Sequence, residues 1–148
     1  MSDIAIMVDD IKLNMRVGII FKYHNKVLLE IPRVSGGNSV IPGGRIKIDE
    51  LRYDAIKREI KEELGFILDD NKIVFKETLE YFFEMDMKKY HEFFFVYEYL
   101  MDDEDYKKLS IIKENQDNHK TDYCFTAYND FDKVNLLPLE VRDIIRNK

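Results

Sequence analysis

One short stretch of the chain concentrates acidic side chains at helical spacing. Residues 50–63, ELRYDAIKREIKEE, place Glu59, Glu62 and Glu63 three and four positions apart, where side chains on a helix are neighbours. Like charges at this spacing repel each other unless a cation lies among them. Carboxylate oxygens are the ligands that hard divalent cations such as Mg²⁺ take. The pattern therefore indicates either a divalent-metal site or a solvated helix face in a glutamate-rich chain.

The apolar residues of this stretch predict which side of the helix is buried. At about 100° per residue, Ile56, Ile60 and Leu64 share one face, and the three acids form one patch beside it. The opposite, solvent side is predicted to carry Lys57, Arg58 and Lys61. Asp49 is the expected N-cap, and Gly65 suits the left-handed residue that ends a helix.

The elements around this helix are mostly β-strands. Two β-rich runs, residues 16–23 and 26–31, are joined by His24-Asn25 and predict a hairpin. Residues 72–85 and 90–100 predict a second hairpin around a polar turn, and residues 123–128 a further strand. Residues 101–120 lack periodicity and read as a long loop with at most a helical turn, and residues 139–146 as a terminal helix. Hairpins combined with two helices predict an α+β fold with a mixed sheet and helices on its faces.

Composition limits the classes of function. The 148 residues fit one domain with a real core, and 45% of them are hydrophobic. A formal net charge of −6 disfavours a nucleic-acid or anionic-membrane binder. The single cysteine, Cys124, excludes an intramolecular disulfide, and neither a secretory signal nor an apolar run of membrane-spanning length is seen. We therefore expect a cytoplasmic, single-domain protein, and the sequence leaves a homodimer open.

The spacing around the acids resembles a known motif. Gly44, Glu50 and the run Arg58-Glu59-Ile60-Lys61-Glu62-Glu63-Leu64-Gly65-Phe66 fill every fixed position of the Nudix box of the MutT/Nudix hydrolases, G-x5-E-x7-R-E-U-x-E-E-x-G-U. Pro42-Gly43-Gly44 also stands where this family commonly has its P-G-G sequence. The resemblance implies the Nudix α/β/α sandwich, with the box as a loop–helix–loop against the mixed sheet.

The resemblance also implies an activity and the residues that perform it. Members of the family hydrolyse a nucleoside diphosphate linked to another moiety, with Mg²⁺ or Mn²⁺ as cofactor. Carried over by position, Glu59, Glu62, Glu63 and the carbonyl of Gly43 are metal ligands. Arg58 and Glu50 are residues that orient them.

Proton transfer needs a base beside the metal. Metal ions lower the pKa of bound water, and a carboxylate can then take its proton. Members of the family often add an acid from a later loop, and here Glu114 is the first candidate and Asp117 the second. The sequence leaves Glu62, Glu63 and Glu114 open as the base, and a solvated loop acid remains the alternative for Glu114.

Substrate recognition is less determined by the sequence. Arg33, Arg45 and Lys47 flank the box and could contact phosphates, although each could be an ordinary surface charge. Aromatic residues on the predicted strands could stack on a base, although core packing is the better interpretation: Tyr81, Phe83, Phe93 and Phe95. Two other functions stay open, a non-catalytic nucleotide-sensing Nudix domain and an isomerase of prenyl diphosphates. Both commonly depart from the strict box, which this chain keeps.

Overall fold

The computed structural model describes residues 2–117 and 119–147. Within them the strands are Ala5–Val8 (β1), Ile11–Tyr23 (β2), Lys26–Pro32 (β3), Gly43–Arg45 (β4), Ile73–Met85 (β5), Lys88–Tyr99 (β6) and Thr121–Ala127 (β7). The helices are Arg52–Leu64 (α1), Asp103–Ser110 (α2) and Leu139–Arg146 (α3). No helix among these residues is long and apolar enough to cross a membrane.

Strand β2 is the centre of the sheet. The main strand order is β5-β6-β2-β3-β7, and β1 and β4 also pair with β2. Strand β6 runs parallel to β2, and β1, β3 and β4 run antiparallel to it, so the predicted mixed sheet is confirmed. Strands β2 and β3 pair only beside their turn, where residues 22–23 face residues 26–27. Further along β2, at residues 16–18, its neighbour is β4. The sheet is therefore split between β4 and β3.

Side chains alternate between two cores on opposite faces of the sheet. Val17, Ile19 and Phe21 of β2 pack in the core that α1 covers, and Ile20 packs in the core that α3 covers. The buried face of α1 consists of the residues expected from the apolar pattern, with small Ala55 beside them: Ala55, Ile56, Ile60 and Leu64. This layering of helix, mixed sheet and helix confirms the predicted α+β sandwich.

The helix α1 begins later than predicted. Asp49 does not cap it: the N-cap position is Leu51, without a side-chain hydrogen bond, and Asp49 adopts a positive φ of 64° in the preceding turn. The end is as predicted, because Gly65 has a left-handed conformation with φ 66° and its N–H donates to the carbonyl of Lys61. Asp49 was a plausible cap by residue type, but the preceding loop uses it to turn the chain.

The later part of the chain contains one helix that the sequence analysis did not predict. Residues 101–120 are not only a loop, since α2 occupies Asp103–Ser110. Asp102 and Asp105 form a reciprocal capping box at its start, and Lys72 bonds to both carboxylates at 2.8 Å. The hairpin turn of β5 and β6 is also tighter than predicted, because Asp86 and Met87 take positive φ angles and β6 starts at Lys88.

Candidate active site

Arg58 organises the start of the acidic patch. Its guanidinium donates to both carboxylate oxygens of Glu50, at 2.7 and 2.9 Å, and to the backbone carbonyl of Arg45 at 3.0 Å. It also donates to Glu59 at 2.9 Å and to Glu62 at 3.2 Å. Arg58 is half-buried, so its predicted place on the solvent side is wrong, because the loop before α1 folds back over it. Its bonds to Glu50 lower the pKa of the Glu50 carboxyl.

Glu59 packs directly against strand β4. A Cβ at Gly44 would lie 2.4 Å from the Cδ of Glu59, so only glycine leaves room for this carboxylate. Burial raises the pKa of Glu59, and the hydrogen bond from Arg58 opposes that rise. The close approach explains why a short Gly-Gly strand lies beside α1. It holds the Glu59 carboxylate at the edge where the sheet is split.

The three helix acids differ in burial. Glu62 is the most exposed, with 41% of its side chain accessible, and Glu59 has 13%. Glu63 is buried, with only 5% of its surface exposed, and its Oε1 atom has no hydrogen-bond partner. Burial first, and then the charges of Glu30 and Glu59, raise the pKa of Glu63 to about 9. Both effects disfavour the ionised form of the Glu63 carboxyl.

Charged residues outside α1 lie within electrostatic range of Glu63. Glu30 of β3 accepts hydrogen bonds at its Oε2 from the Tyr123 hydroxyl at 2.8 Å and from the Asn115 amide at 2.7 Å. Burial, followed by the charges of Glu63 and Glu30, raises the pKa of Tyr123. The Arg16 guanidinium opposes the rise in the pKa of Glu63. The acidic site is thus wider than the helix, because it spans the split between β4 and β3.

The loop after α2 docks on the end of α1. The backbone N–H of Gln116 donates to the carbonyl of Glu63 at 2.8 Å, and its side chain donates to the carbonyl of Leu64 at 3.3 Å. The charge of Asp117 contributes to the raised pKa values of both Glu59 and Glu63. Asp117, the second candidate for the loop acid, therefore lies within electrostatic range of the box acids.

Glu114, the first candidate, is engaged elsewhere. Its carboxylate lies 2.5 Å from a ring nitrogen of His119 and 3.6 Å from the guanidinium of Arg33. Arg33 bonds in turn to Asp122 at 2.8 Å. Both candidate residues, Glu114 and Arg33, thus belong to one exposed ion-pair cluster, and a phosphate would have to compete with Asp122 for Arg33.

The remaining substrate candidates are spread over the sheet. Arg45 lies on β4, paired across from Arg16 of β2, and its carbonyl holds Arg58. The four aromatic candidates do not share a face: Tyr81 packs against the core under α3, and Phe95 packs against the core under α1. The other two stack on strand neighbours, Phe83 on Tyr90 at 4.7 Å and Phe93 on His91 at 5.2 Å. They do not form one stacking site.

The donor set suits a hard divalent cation. Carboxylates and a backbone carbonyl are the ligands such ions take, and the buried Oε1 atom of Glu63 needs a partner. As they stand, no three His, Cys, Asp or Glu side chains in the described ranges are grouped closely enough to hold an ion. Arg58 instead binds Glu59 and Glu62. An ion bound by Glu59 and Glu62 would therefore compete with their hydrogen bonds from Arg58.

Sequence reasoning did not single out Glu30, Arg16, Tyr123 or Asn115. The available signal was the position of Glu30 in the apolar run KVLLEI, where it alternates with buried Leu28. A charged residue on the core side of a strand is unusual unless it has partners. Those partners come from residues 115 and 123, and no local pattern connects them to position 30.

Comparisons with known proteins agree with this fold. The NUDIX domain family matches residues 13–147. No curated protein matches the sequence. Among solved structures, the MutT protein from Bacillus halodurans shares 16% identity at a TM-score of 0.64, over 90% of this chain and 80% of that one. A MutT protein from Methanosarcina mazei Go1 shares 20% at 0.59, over 94% of each chain. A C. elegans Ap4A hydrolase in a binary complex shares 18% at 0.58, over 90% and 93%.

Proposed function

The chain belongs to the NUDIX domain family, and from this membership we propose that it hydrolyses the diphosphate bond of a nucleoside diphosphate linked to another moiety. The cofactor in this proposal is Mg²⁺ or Mn²⁺, and the products are a nucleotide and a phosphorylated compound. The supporting observation is the buried, unpartnered Oε1 of Glu63 beside Glu59. A buried carboxylate without a partner is costly unless a proton or a cation compensates it.

The residues of the site divide into ligands and supports. Glu59, Glu62, Glu63 and the Gly43 carbonyl would hold the ion. Arg58 and Glu50 hold the loop before α1 against the helix, and so fix where Glu59 lies. Arg45 contributes its backbone carbonyl to the same support. A preorganised set of this kind keeps its geometry as charge develops in the reaction.

Hydrolysis requires that phosphate charge is neutralised and that water loses a proton. A cation held by Glu59, Glu62 and Glu63 would supply positive charge for the first requirement and would lower the pKa of bound water for the second. The acceptor of the proton is Glu62, Glu63 or a loop acid. Of the two loop acids, Asp117 acts electrostatically on Glu59 and Glu63, which supports it over Glu114.

A substrate panel tests the proposal. Purified protein is incubated with nucleoside diphosphate sugars, dinucleoside polyphosphates and nucleoside triphosphates, with Mg²⁺ or with a chelator, and nucleotide and phosphate release are measured. We expect metal-dependent release from at least one compound. Absence of release from every compound, together with tight binding of one of them, would instead identify a nucleotide-binding domain without hydrolytic activity.

A further inference from the structure

Strand β3 brings an additional carboxylate to the acidic site. Glu30 follows Leu28 by two positions, so both side chains lie on the face of the sheet that α1 covers. Its Oε2 accepts hydrogen bonds from Tyr123 at 2.8 Å and from Asn115 at 2.7 Å. Both of these bonds end on the same oxygen atom, Oε2, and they hold the carboxylate in one orientation.

The same loop ties Glu30 to Glu63. Asn115 bonds to the Glu30 side chain, and the next residue, Gln116, donates its backbone N–H to the carbonyl of Glu63 at 2.8 Å. Among neighbouring charges, Glu30 contributes most to the raised pKa of Glu63, after burial. The hydroxyl of Tyr123 lies within range of both charges. Consecutive residues of one loop therefore hold the Glu30 side chain and the backbone of Glu63, which brings β3 and the end of α1 to the same site.

Two arginine side chains interact with the acids of this site. Arg58 is already shared among Glu50, Glu59 and Glu62. Arg16 acts on Glu63 only as a smaller electrostatic contribution. An extra fixed carboxylate would also repel a phosphate substrate. Such an acid is useful in a phosphate site when a metal ion lies between it and the substrate.

We propose that Glu30 is a further ligand of the divalent cation, acting beside the buried, unpartnered Oε1 of Glu63. This inference rests on the proposed function, since it concerns the same site, and it extends the ligand set from the helix to β3. In the competing explanation, Glu30 is only an acceptor that anchors Asn115 and Tyr123. The two explanations differ in whether the negative charge of Glu30 is needed.

Two variants separate charge from anchoring. Glu30→Gln removes the charge but retains an amide oxygen that can accept from Tyr123 and Asn115. Tyr123→Phe removes one of the anchoring bonds but keeps the carboxylate. Glu104→Gln is the charge-matched control, because Glu104 is exposed on α2 and is paired only weakly with Lys107 at 3.5 Å. Binding of Mn²⁺ alone is measured by electron paramagnetic resonance, and unfolding by circular dichroism.

The proposal predicts that Glu30→Gln weakens Mn²⁺ binding by at least about tenfold, the lower range for disturbing a metal site. Tyr123→Phe should weaken it far less, and Glu104→Gln should leave it unchanged. Equal Mn²⁺ affinity in Glu30→Gln and the wild type would overturn the proposal. An equal loss in Tyr123→Phe would overturn it in favour of the anchoring explanation. If the wild type hydrolyses no substrate and binds no Mn²⁺, the proposed function itself fails, a result distinguishable from both.

Discussion

At the scale of single residues, Arg58 is the side chain on which most of the site depends. Its guanidinium makes two bonds to Glu50, one each to Glu59 and Glu62, and one to the carbonyl of Arg45. A lysine carries the same charge but cannot present this planar fork of donors. Charge is therefore not sufficient at position 58, and geometry is needed as well.

Arg58→Lys should thus impair the protein although the charge is kept. Lost hydrogen bonds to charged groups cost about 1.5–3 kcal/mol each. A lysine at position 58 could not make both of the hydrogen bonds that Arg58 donates to Glu50. We expect a lower free energy of unfolding in urea and a lower kcat. Lys61→Arg, on the exposed side of α1, is the matched control and should change neither. An Arg58→Lys variant as stable and active as the wild type would contradict the supporting role that we assign to Arg58.

The Glu50–Arg58 bond also predicts a pH dependence. Because Arg58 lowers the pKa of Glu50 in the folded state, the bond stabilises the protein above the unfolded pKa of about 4.3. That stabilisation is lost as the pH falls through the lower, folded pKa. The difference in unfolding free energy between wild type and Glu50→Gln should therefore be constant near neutrality and shrink below about pH 4. A difference that grows on acidification would contradict this sign.

How far single residues could be predicted depends on whether their neighbours are close in sequence. The acids Glu59, Glu62 and Glu63 stand at fixed spacing within one helix, so a one-dimensional pattern reveals them. The partnership of Glu30 with residue 123 joins positions 93 apart. Only the fold determines such a contact, and for the same reason the pairing of Glu114 with Arg33 was not foreseen.

At the scale of elements, the packing of α1 on β4 fixes the Glu59 carboxylate. Gly44 leaves the space that this carboxylate fills, since an added Cβ would lie 2.4 Å from both its Cδ and its Oε2. The approach of helix and strand is set by the α1 core residues, which are fully buried. The Glu59 side chain, and not the backbone, would therefore give way to a larger residue.

Gly44→Ala should accordingly reduce activity more than stability. Misplacing a catalytic group by about 1 Å can cost about a hundredfold in rate, and we expect a kcat loss of that order. Gly36→Ala is the control, because Gly36 has open space around it but a φ of 75° that strains an alanine. It should lose stability and keep its kcat. The assignment would be refuted if Gly44→Ala retained full turnover.

Elements with strong local signals could be predicted, and those made by distant contacts could not. The hairpin of β2 and β3 and the helix α3 lie where alternation and Pro138 indicate them. Helix α2 is highly charged, and a lysine 30 residues before the cap contributes to its start. Strands β1 and β4 span only four and three residues, and they pair with the part of β2 that β3 leaves unpaired.

At the scale of the whole molecule, the fold keeps a site with excess negative charge in a chain whose net charge is already −6. Burial of Glu63 and the nearby charges of Glu30, Glu59 and Asp117 all disfavour its ionised form. The fold class itself could be predicted from the sequence, because hairpins combined with helices indicate a mixed sheet with helices on its faces, and the resemblance to the Nudix box implies the sandwich. The charge balance of the site could not, because it depends on which elements meet at the split in the sheet.

Divalent metal should therefore stabilise the entire protein. A ligand that binds only the folded state adds about 2.7 kcal/mol at a concentration one hundred times its Kd. We expect millimolar Mg²⁺ to raise the Tm in calorimetry, and to raise that of Glu63→Gln much less. NaCl at matched ionic strength controls for screening of surface charge. Equal shifts with Mg²⁺ and NaCl would remove the support for a specific metal site.

The central claim is that the buried acid of α1 takes part in metal-dependent hydrolysis of a diphosphate bond. Its most direct test is the kcat of Glu63→Gln relative to the wild type, on the best compound of the substrate panel with saturating Mg²⁺. The isosteric change keeps the packing of a side chain that is 5% exposed and removes its charge. We predict a loss of orders of magnitude in kcat with a native circular dichroism spectrum. Near-normal turnover by this folded variant would contradict the account.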